Sequence, residues 1–451
     1  MKAVLSELKK ISRLAFPMVL TQLLWMTMPV VDNMMVGHLG AESLAGMAIA
    51  TTYYWLLQLV CLGVLSATNP LVSHAFGRSE VSEYRKIVHS GLALAGVLAI
   101  AMGTMVVLGK WVLLFLGQTP ELVAIADRYL KAILWGVPFH LAFIVFRQFC
   151  DSVEDPTPTI VLVVLGACLN AFLDYSLIYG KWGFPNLGVA GAGFATAFSQ
   201  SILCIGLASY LTFSKKYRYV NIWHKLEMSK ERVREIIKIG LPSSGAMLSE
   251  MIYFSGSTLI MGLLGTVAVA SHQIALNVAS ATFMVPLGVS FAVSVRVGGF
   301  AGRRDWSGVQ LAGKVGLCLA LGLAVFNATF LLVFSEQIVK MYNSDPEIKG
   351  LAEKLVRIAG VFQIFDGLQV VGIYILRGLK DTRIPFISTL ISYGVLGMGI
   401  SVGLAFGLKQ GPVGFWFGMI FALAVAAGLH QLRFRKVIAN ALSLEKTESM
   451  P

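Results

Sequence analysis

Charged residues are scarce in this sequence. Asp, Glu, Lys and Arg make up 13% of its 451 residues, whereas 56% of the residues are hydrophobic. Soluble globular proteins carry about 25% charged residues, so this composition excludes the ordinary soluble classes. Apolar runs recur along the chain, each long enough for the about 20 residues that a helix needs to cross a bilayer. The ten-residue alternation of a membrane β-barrel is lacking, and we therefore expect an all-α polytopic membrane protein.

Cysteine is also scarce, and its pattern excludes two classes of structure. The five cysteines lie within or at the ends of apolar runs, with neither metal-type spacing nor a framework of pairs. We interpret them as packing residues. The N-terminal stretch MKAVLSELKKISRLAFP lacks the short apolar core and the A-x-A site of a cleaved signal. The first apolar run is therefore expected to stay in the membrane.

Acidic residues are outnumbered by basic ones, and the formal net charge is +12. The basic residues lie mostly in short gaps between apolar runs, which disfavours nucleic-acid binding. About three quarters of the 36 Lys and Arg fall at the termini and in the loops on one side, which predicts cytoplasmic N- and C-termini. The predicted spans number twelve, near 14–37, 45–72, 89–108, 132–150, 158–179, 188–213, 239–262, 268–295, 315–336, 358–376, 384–406 and 413–432.

The second half of the chain repeats the first. When the numbering is shifted by 225 or 226, the matching pairs include Pro17 with Pro242, Gly37 with Gly262, and Asp155 with Asp381. Six spans in each half give parallel repeats, related by a pseudo-two-fold axis along the membrane normal. We predict two six-helix lobes, with an N-lobe over 1–213, a cytoplasmic basic linker over 214–238, and a C-lobe with a C-terminal tail over 239–451.

Four acidic residues fall inside predicted spans. These are Asp32 and Asp174 in the first half, and Glu250 and Asp366 in the second. A charged side chain in a bilayer is costly and usually faces a cavity or a partner, yet few basic residues stand at matching depth. Such a carboxyl group can exchange a proton for a cation, which predicts one ion site in each lobe. The alternative is that the acids are protonated and serve helix packing alone.

Three amide side chains accompany these acids. Asn170 precedes Asp174 by four residues and therefore shares its helix face. Gln273 and Asn277 have the same spacing and are predicted to face Glu250 across the lobe interior. The alternative is that the amides only hydrogen-bond between helices.

Other side chains in the spans are interpreted mainly as structural. His140 and His272 are lone histidines near helix ends or in mid-span, and we expect them to have structural roles. Aromatic residues and methionines of the first lobe, Trp25 and Tyr54 among them, are expected mostly to pack or to face lipid. Some of them would line a cavity for flat apolar cations, because soft sulfur atoms and aromatic faces adapt to many shapes.

Together these features resemble a known family. The sequence is similar to the MATE (multidrug and toxic compound extrusion) transporters over nearly its whole length, in its twelve spans, two lobes and a set of motifs. Those motifs are PVVDNMMVGHLG, LNAFLDYSLIYG followed by LGVAGAGFATA, LSEMIYFSG, SHQIALN and FQIFDGLQVVGIYILRGLKDTRIP. The acids on helices 7 and 10 resemble the NorM-like branch rather than the DinF-like one.

The resemblance implies efflux of cationic, often aromatic compounds, driven by Na⁺ or H⁺ and without a further cofactor. It implies an N-lobe ion site formed by Asp32, Asn170, Asp174 and Thr196. It also implies a C-lobe site for cation or substrate formed by Glu250, Gln273, Asn277 and Asp366. The four acids among them would be the ligands of Na⁺, since hard cations prefer oxygen ligands. Phe362 departs from the tyrosine that some NorM-like members carry one turn before the helix 10 acid, so a hydroxyl ligand is missing there.

Three rival functions remain at this point. One of them, a channel or passive scaffold, does not explain the paired acids. A lipid-linked oligosaccharide flippase of the same superfamily would need a cationic cavity, whereas the intramembrane charges here are mostly acidic. A membrane enzyme would need a nucleophile–base set or metal ligands at one membrane face, and the sequence offers none. We therefore expect a transporter rather than an enzyme, acting as a monomer among membrane lipids on cationic small-molecule drugs.

Overall fold

The computed structural model describes residues 1–218, 220, 222–223, 227–343 and 345–448, and helices are the regular elements of this part of the chain. In chain order the α-helices are α1 Lys2–Gly37, α2 Ala41–Leu65, α3 Thr68–Gly77, α4 Val81–Phe115, α5 Pro120–Ile133, α6 Val137–Ser152, α7 Thr157–Tyr179, α8 Val189–Phe213, α9 Lys230–Gly262, α10 Thr266–Gly302, α11 Trp306–Tyr342, α12 Pro346–Gly378, α13 Arg383–Leu390, α14 Met398–Val402 and α15 Gly411–Glu448. A 3₁₀ turn, Leu134–Gly136, joins α5 to α6, and π-helical segments, Ile391–Gly397 and Gly403–Gly407, flank α14.

Within the described residues, eleven helices or joined helix pairs are long and apolar enough to cross a membrane. They match eleven of the twelve predicted spans. The remaining span, 239–262, lies in α9, which has 33 residues. This helix begins with the charged stretch KERVREIIK and continues with the serine-rich stretch SSGAMLSEMIYFSGS, so its composition is less apolar than that of the other long helices.

Local sequence signals explain where several helices begin and end. Asp345 caps α12, because its carboxylate accepts hydrogen bonds from the backbone N–H groups of Glu347, at 2.9 Å, and Ile348. Asp305 caps α11 in the same way through the N–H of Gly308, at 2.8 Å. The end of α7 is set by Gly180, whose φ of 67° lies in the left-handed region that glycine adopts without strain.

The chain forms two compact units, which we call the N-unit, residues 23–244, and the C-unit, residues 1–22 with 245–451. The division falls inside α1 and inside α9. These units therefore differ from the predicted lobes at two places, because residues 1–22 belong with the second half and residues 214–244 belong with the first.

The segment predicted as a basic linker, 214–238, packs against the N-unit where the structure describes it. The Tyr217 hydroxyl donates to a carboxylate oxygen of Asp155 at 2.6 Å, and the ring of His89 contacts the carbonyl oxygen of Ile222 at 2.8 Å. From residue 230 onward the segment is helical. Much of this segment therefore belongs to the folded core of the N-unit.

A close helix contact in the N-unit depends on a glycine of the GVAGAG motif. A Cβ atom at Gly191 on α8 would lie 2.7 Å from the carbonyl carbon and oxygen of Leu177 on α7. Overpacking of this kind costs about 1–3 kcal/mol. We expect Gly191→Ala to lower the thermal melting temperature of the purified protein by several degrees. Gly96→Ala in α4 is the matched control, since nothing lies within 4 Å of its added Cβ, and an equal loss there would contradict the explanation.

Candidate cation-binding sites

Three helices of the N-unit bring an acid pair together. Asp32 on α1 and Asp174 on α7 are 6% and 0% exposed, and their carboxyl groups lie within hydrogen-bonding range of each other. Thr196 on α8 donates its hydroxyl proton to Oδ2 of Asp32 at 3.4 Å. Three of the four predicted residues of this site therefore meet in space.

The acid pair is short of hydrogen-bond donors. Oδ1 of Asp32 and both carboxyl oxygens of Asp174 have no hydrogen-bond partner among the described residues. Two adjacent carboxylates repel each other, and an unpaired buried charge is strongly unfavourable. A shared proton or a small cation removes this repulsion, and the carboxylate and hydroxyl oxygens present are the ligands that a hard cation such as Na⁺ prefers.

Asn170 is buried one turn before Asp174 on α7, with 2% exposure. Its amide nitrogen has no hydrogen-bond partner in the described chain. The structure thus places Asn170 beside the acid pair along the helix, without a hydrogen bond from its amide nitrogen to either acid.

Three further polar residues surround the N-unit site that the sequence did not single out as site residues. Tyr129 on α5 lies within hydrogen-bonding range of Thr196 and near both acids. Tyr54 on α2 lies beside Gln200 on α8. One signal was available for Gln200, which follows Thr196 by four residues and so shares its helix face. The two tyrosines offered no such signal, because tyrosine is common on packed helix faces.

The C-unit contains a second acid pair. Asp366 on α12 is 4% exposed and interacts electrostatically with Glu250 on α9, which is half-buried. Tyr393, fully buried in the first π-helical segment, lies near both acids and stacks on Tyr253 with ring centroids 5.1 Å apart. Such π-helical turns frequently occur at functional sites. The predicted pairing of Glu250 with Asp366 is therefore present in the structure.

The two amides predicted to face Glu250 lie on an exposed face of α10. Gln273 and Asn277 form no hydrogen bond with Glu250 or Asp366 among the described residues. The neighbouring His272 is buried, and its Nδ1 accepts a hydrogen bond from the Trp416 indole at 3.0 Å. Burial and this hydrogen bond are consistent with the structural role expected for His272.

Phe362 packs in an aromatic group beside the C-unit acids. Its ring is 2% exposed and meets the rings of Trp416 and Phe254 edge-on, at centroid distances of 5.5 and 6.1 Å. The described residues contain no cluster of three or more His, Cys, Asp or Glu side chains that would hold a metal ion. Any cation at the C-unit pair therefore relies on two carboxylates and neighbouring neutral oxygens.

Comparison with known proteins identifies the family. The sequence model of the MatE family matches residues 17–176 and 242–402. The chain belongs to the MatE family. The second match begins at 242 where the first begins at 17, and it ends at 402 where the first ends at 176. Both ends follow the shift in numbering that relates the two halves of the sequence, which confirms the internal repeat.

Curated relatives of this MatE chain carry the name "Probable multidrug resistance protein NorM". The relative from Bradyrhizobium diazoefficiens is 35% identical over 94% of this chain and 92% of its own length. The relative from Shewanella oneidensis is 34% identical over 98% of this chain and 97% of its own length. The predicted resemblance to the NorM-like branch is therefore confirmed.

Solved MATE structures share the fold. A crystal structure of MATE in the bent conformation covers 100% of this chain with a TM-score of 0.89 at 24% identity, and a eukaryotic MATE transporter covers 97% with a TM-score of 0.86 at 21% identity. These likenesses confirm the predicted all-helical, two-lobe membrane fold.

Proposed function

We propose that this protein is a secondary active multidrug efflux antiporter that exports cationic, often aromatic compounds in exchange for Na⁺ or H⁺. The observation that carries this proposal is the buried Asp32–Asp174 pair, three of whose four carboxyl oxygens have no hydrogen-bond donor among the described residues. The names of the curated relatives support drugs as the exported class. The flippase alternative is disfavoured, because acidic groups repel a pyrophosphate.

Coupling follows from competition for negative charge. A small ion and a cationic drug are both attracted to the carboxyl groups, so binding of one favours release of the other. Two flows are coupled only when a ligand binds two conformations with different affinity. In this proposal Asp32, Asp174, Glu250 and Asp366 provide that difference, and Asn170, Thr196, Gln273 and Asn277 assist as neutral ligands.

The remaining features of the proposal concern the setting of the transporter. We infer a monomer in the bacterial inner membrane, surrounded by lipid, with both termini in the cytoplasm because of the basic loops. We infer that the substrate is transported without being chemically changed. In this proposal the buried acid pairs serve to bind and release ions.

Proteoliposomes test the proposal and separate the two ions. We expect an imposed Na⁺ gradient or an imposed pH gradient to drive ethidium movement several-fold above that in vesicles without a gradient, and an ionophore that collapses the effective gradient to abolish it. Protein-free vesicles are the control. Folded protein that moves ethidium under neither gradient would contradict antiport.

A further inference from the structure

A second buried polar group lies in the N-unit, where its α1 residue precedes Asp32 by two helical turns. It consists of Trp25 on α1, Gln58 on α2 and His140 on α6. The rings of Trp25 and His140 meet edge-on at a centroid distance of 5.6 Å, and the amide nitrogen of Gln58 contacts Nε2 of His140. Gln58 and His140 are 7% and 4% exposed, whereas Trp25 is half-buried. In this group Gln58 and His140 are therefore buried, and the Trp25 ring is its more accessible aromatic face.

Hydrogen bonding in this group leaves two donors without acceptors. In the orientation assigned to the Gln58 amide, its nitrogen donates to Nε2 of His140, which places the proton of a neutral imidazole on Nδ1. That Nδ1 has no hydrogen-bond partner among the described residues, and the same is true of Nε1 of Trp25, which is always a donor. Buried donors are usually satisfied in native proteins. Two neighbouring orphaned donors therefore indicate a place for an acceptor atom.

The internal repeat gives an independent reason to regard this group as a site. At the offset of 225, Trp25 corresponds to Glu250, and at the offset of 226, His140 corresponds to Asp366. Each pair is brought together within its own unit. The C-unit positions present acceptor oxygens suited to a cation, whereas the N-unit positions present N–H donors suited to an acceptor.

Helical spacing links the donor group to the acid pair. Asp32 follows Trp25 by seven residues on α1, which is two turns on the same face and about 10 Å. Gln200 and Tyr54 lie beside each other. Gln200 is one helical turn from Thr196, and Tyr54 is one turn from Gln58. The N-unit interior therefore offers a binding site for positive charge and, about 10 Å away along α1, an aromatic face with two hydrogen-bond donors.

We propose that Trp25 and His140 form a binding subsite for an acceptor oxygen, such as a carbonyl or carboxylate, on planar aromatic cations. The subsite rests on the proposed drug efflux function and names a substrate class within it. Gln58 acts as a positioning residue, because its amide fixes the imidazole proton on Nδ1. Compounds that carry both a positive charge and an acceptor oxygen would bind at the acid pair and at the Trp25–His140 subsite, whereas a cation without oxygen would bind only at the acid pair.

Equilibrium binding to the purified protein, without any ion gradient, tests the subsite. The probes are rhodamine 6G, a planar cation with an ester carbonyl, and ethidium, a planar cation without oxygen, both followed by fluorescence polarisation. Trp25→Phe keeps an aromatic face, although a smaller one, and removes the indole N–H. We expect it to raise the Kd of rhodamine 6G about 5- to 10-fold and that of ethidium less than about twofold. Gln58→Met should raise the Kd of rhodamine 6G selectively as well.

The control is Trp111→Phe, at a tryptophan of the same unit that is 66% exposed, and it should leave both Kd values unchanged. An equal loss for both dyes in Trp25→Phe, or no loss for either, would overturn the subsite while leaving drug binding intact. Wild-type protein that binds neither dye would instead refute the proposed efflux function.

Discussion

Cells that express Asp32→Asn are expected to export ethidium at least about tenfold more slowly than wild-type cells, close to the rate of cells without the transporter. Asparagine keeps the size of the side chain and its capacity to accept from Thr196, but it cannot carry the negative charge for which ion and drug compete. An uncompensated intramembrane charge has a large electrostatic effect because little water screens it. The measurement is ethidium efflux from preloaded cells at matched membrane levels of the two proteins.

Asp127→Asn provides the control for the loss of one carboxylate. Asp127 lies in the same unit and pairs at 2.6 Å with Lys131, whose side chain is 62% exposed, so its charge is already compensated and its loss leaves only a solvated lysine. We expect efflux by this variant to match wild type. Wild-type efflux by Asp32→Asn would remove the coupling role of the acid pair, whereas absence of the variant from the membrane would show a folding defect and would require Asp32→Glu as the replacement test.

The sequence predicted the helices well because composition governs them. Each long apolar run became a helix, and the predicted end at residue 37 coincides with the end of α1. Other helices extend past the predicted spans, as α4 does by covering 81–115 rather than 89–108. The additional turns lie outside the hydrocarbon region and are more polar. Hydropathy therefore marks the part of a helix that crosses the membrane, and not the residues at which the helix begins and ends.

The sequence could not predict which side chains meet between helices. Asp32 and Asp174 were found because a carboxyl group in a bilayer is rare, but Tyr129 and Tyr54 resemble ordinary packing residues. Gln273 and Asn277 illustrate the opposite case, since their spacing indicates a shared face without indicating what that face contacts. Rotation of a helix about its axis is set by tertiary packing, which a single sequence does not record.

The division into units also depends on tertiary contacts. The N-terminal part of α1, as far as Gln22, belongs with the C-unit, and a buried ion pair accounts for part of this. Glu7 and Arg296 are 3% and 7% exposed, and the guanidinium donates to both carboxylate oxygens of Glu7 at 2.7 Å. Nothing in the spacing of these residues, 289 positions apart, predicts the contact.

Removing one partner of this pair should destabilise the C-unit strongly. We expect Glu7→Gln to lower the free energy of unfolding by about 3–5 kcal/mol, because it leaves the Arg296 charge buried without its counter-charge. The measurement is thermal unfolding of the purified protein in one detergent at fixed pH. Glu336→Gln is the control, since Glu336 pairs with Lys340 at an exposed site, and no measurable shift is expected there.

The double variant Glu7→Leu with Arg296→Met separates the charge from the packing. Replacing both members of a buried pair by apolar residues is often neutral or stabilising, whereas removal of one member is costly. We therefore expect the double variant to recover most of the stability lost in Glu7→Gln. If the double variant is as unstable as the single one, this contact contributes packing and not compensation of the buried charge. The packing includes that of Arg296 on Phe300, whose ring centroid lies 4.8 Å from the guanidinium carbon.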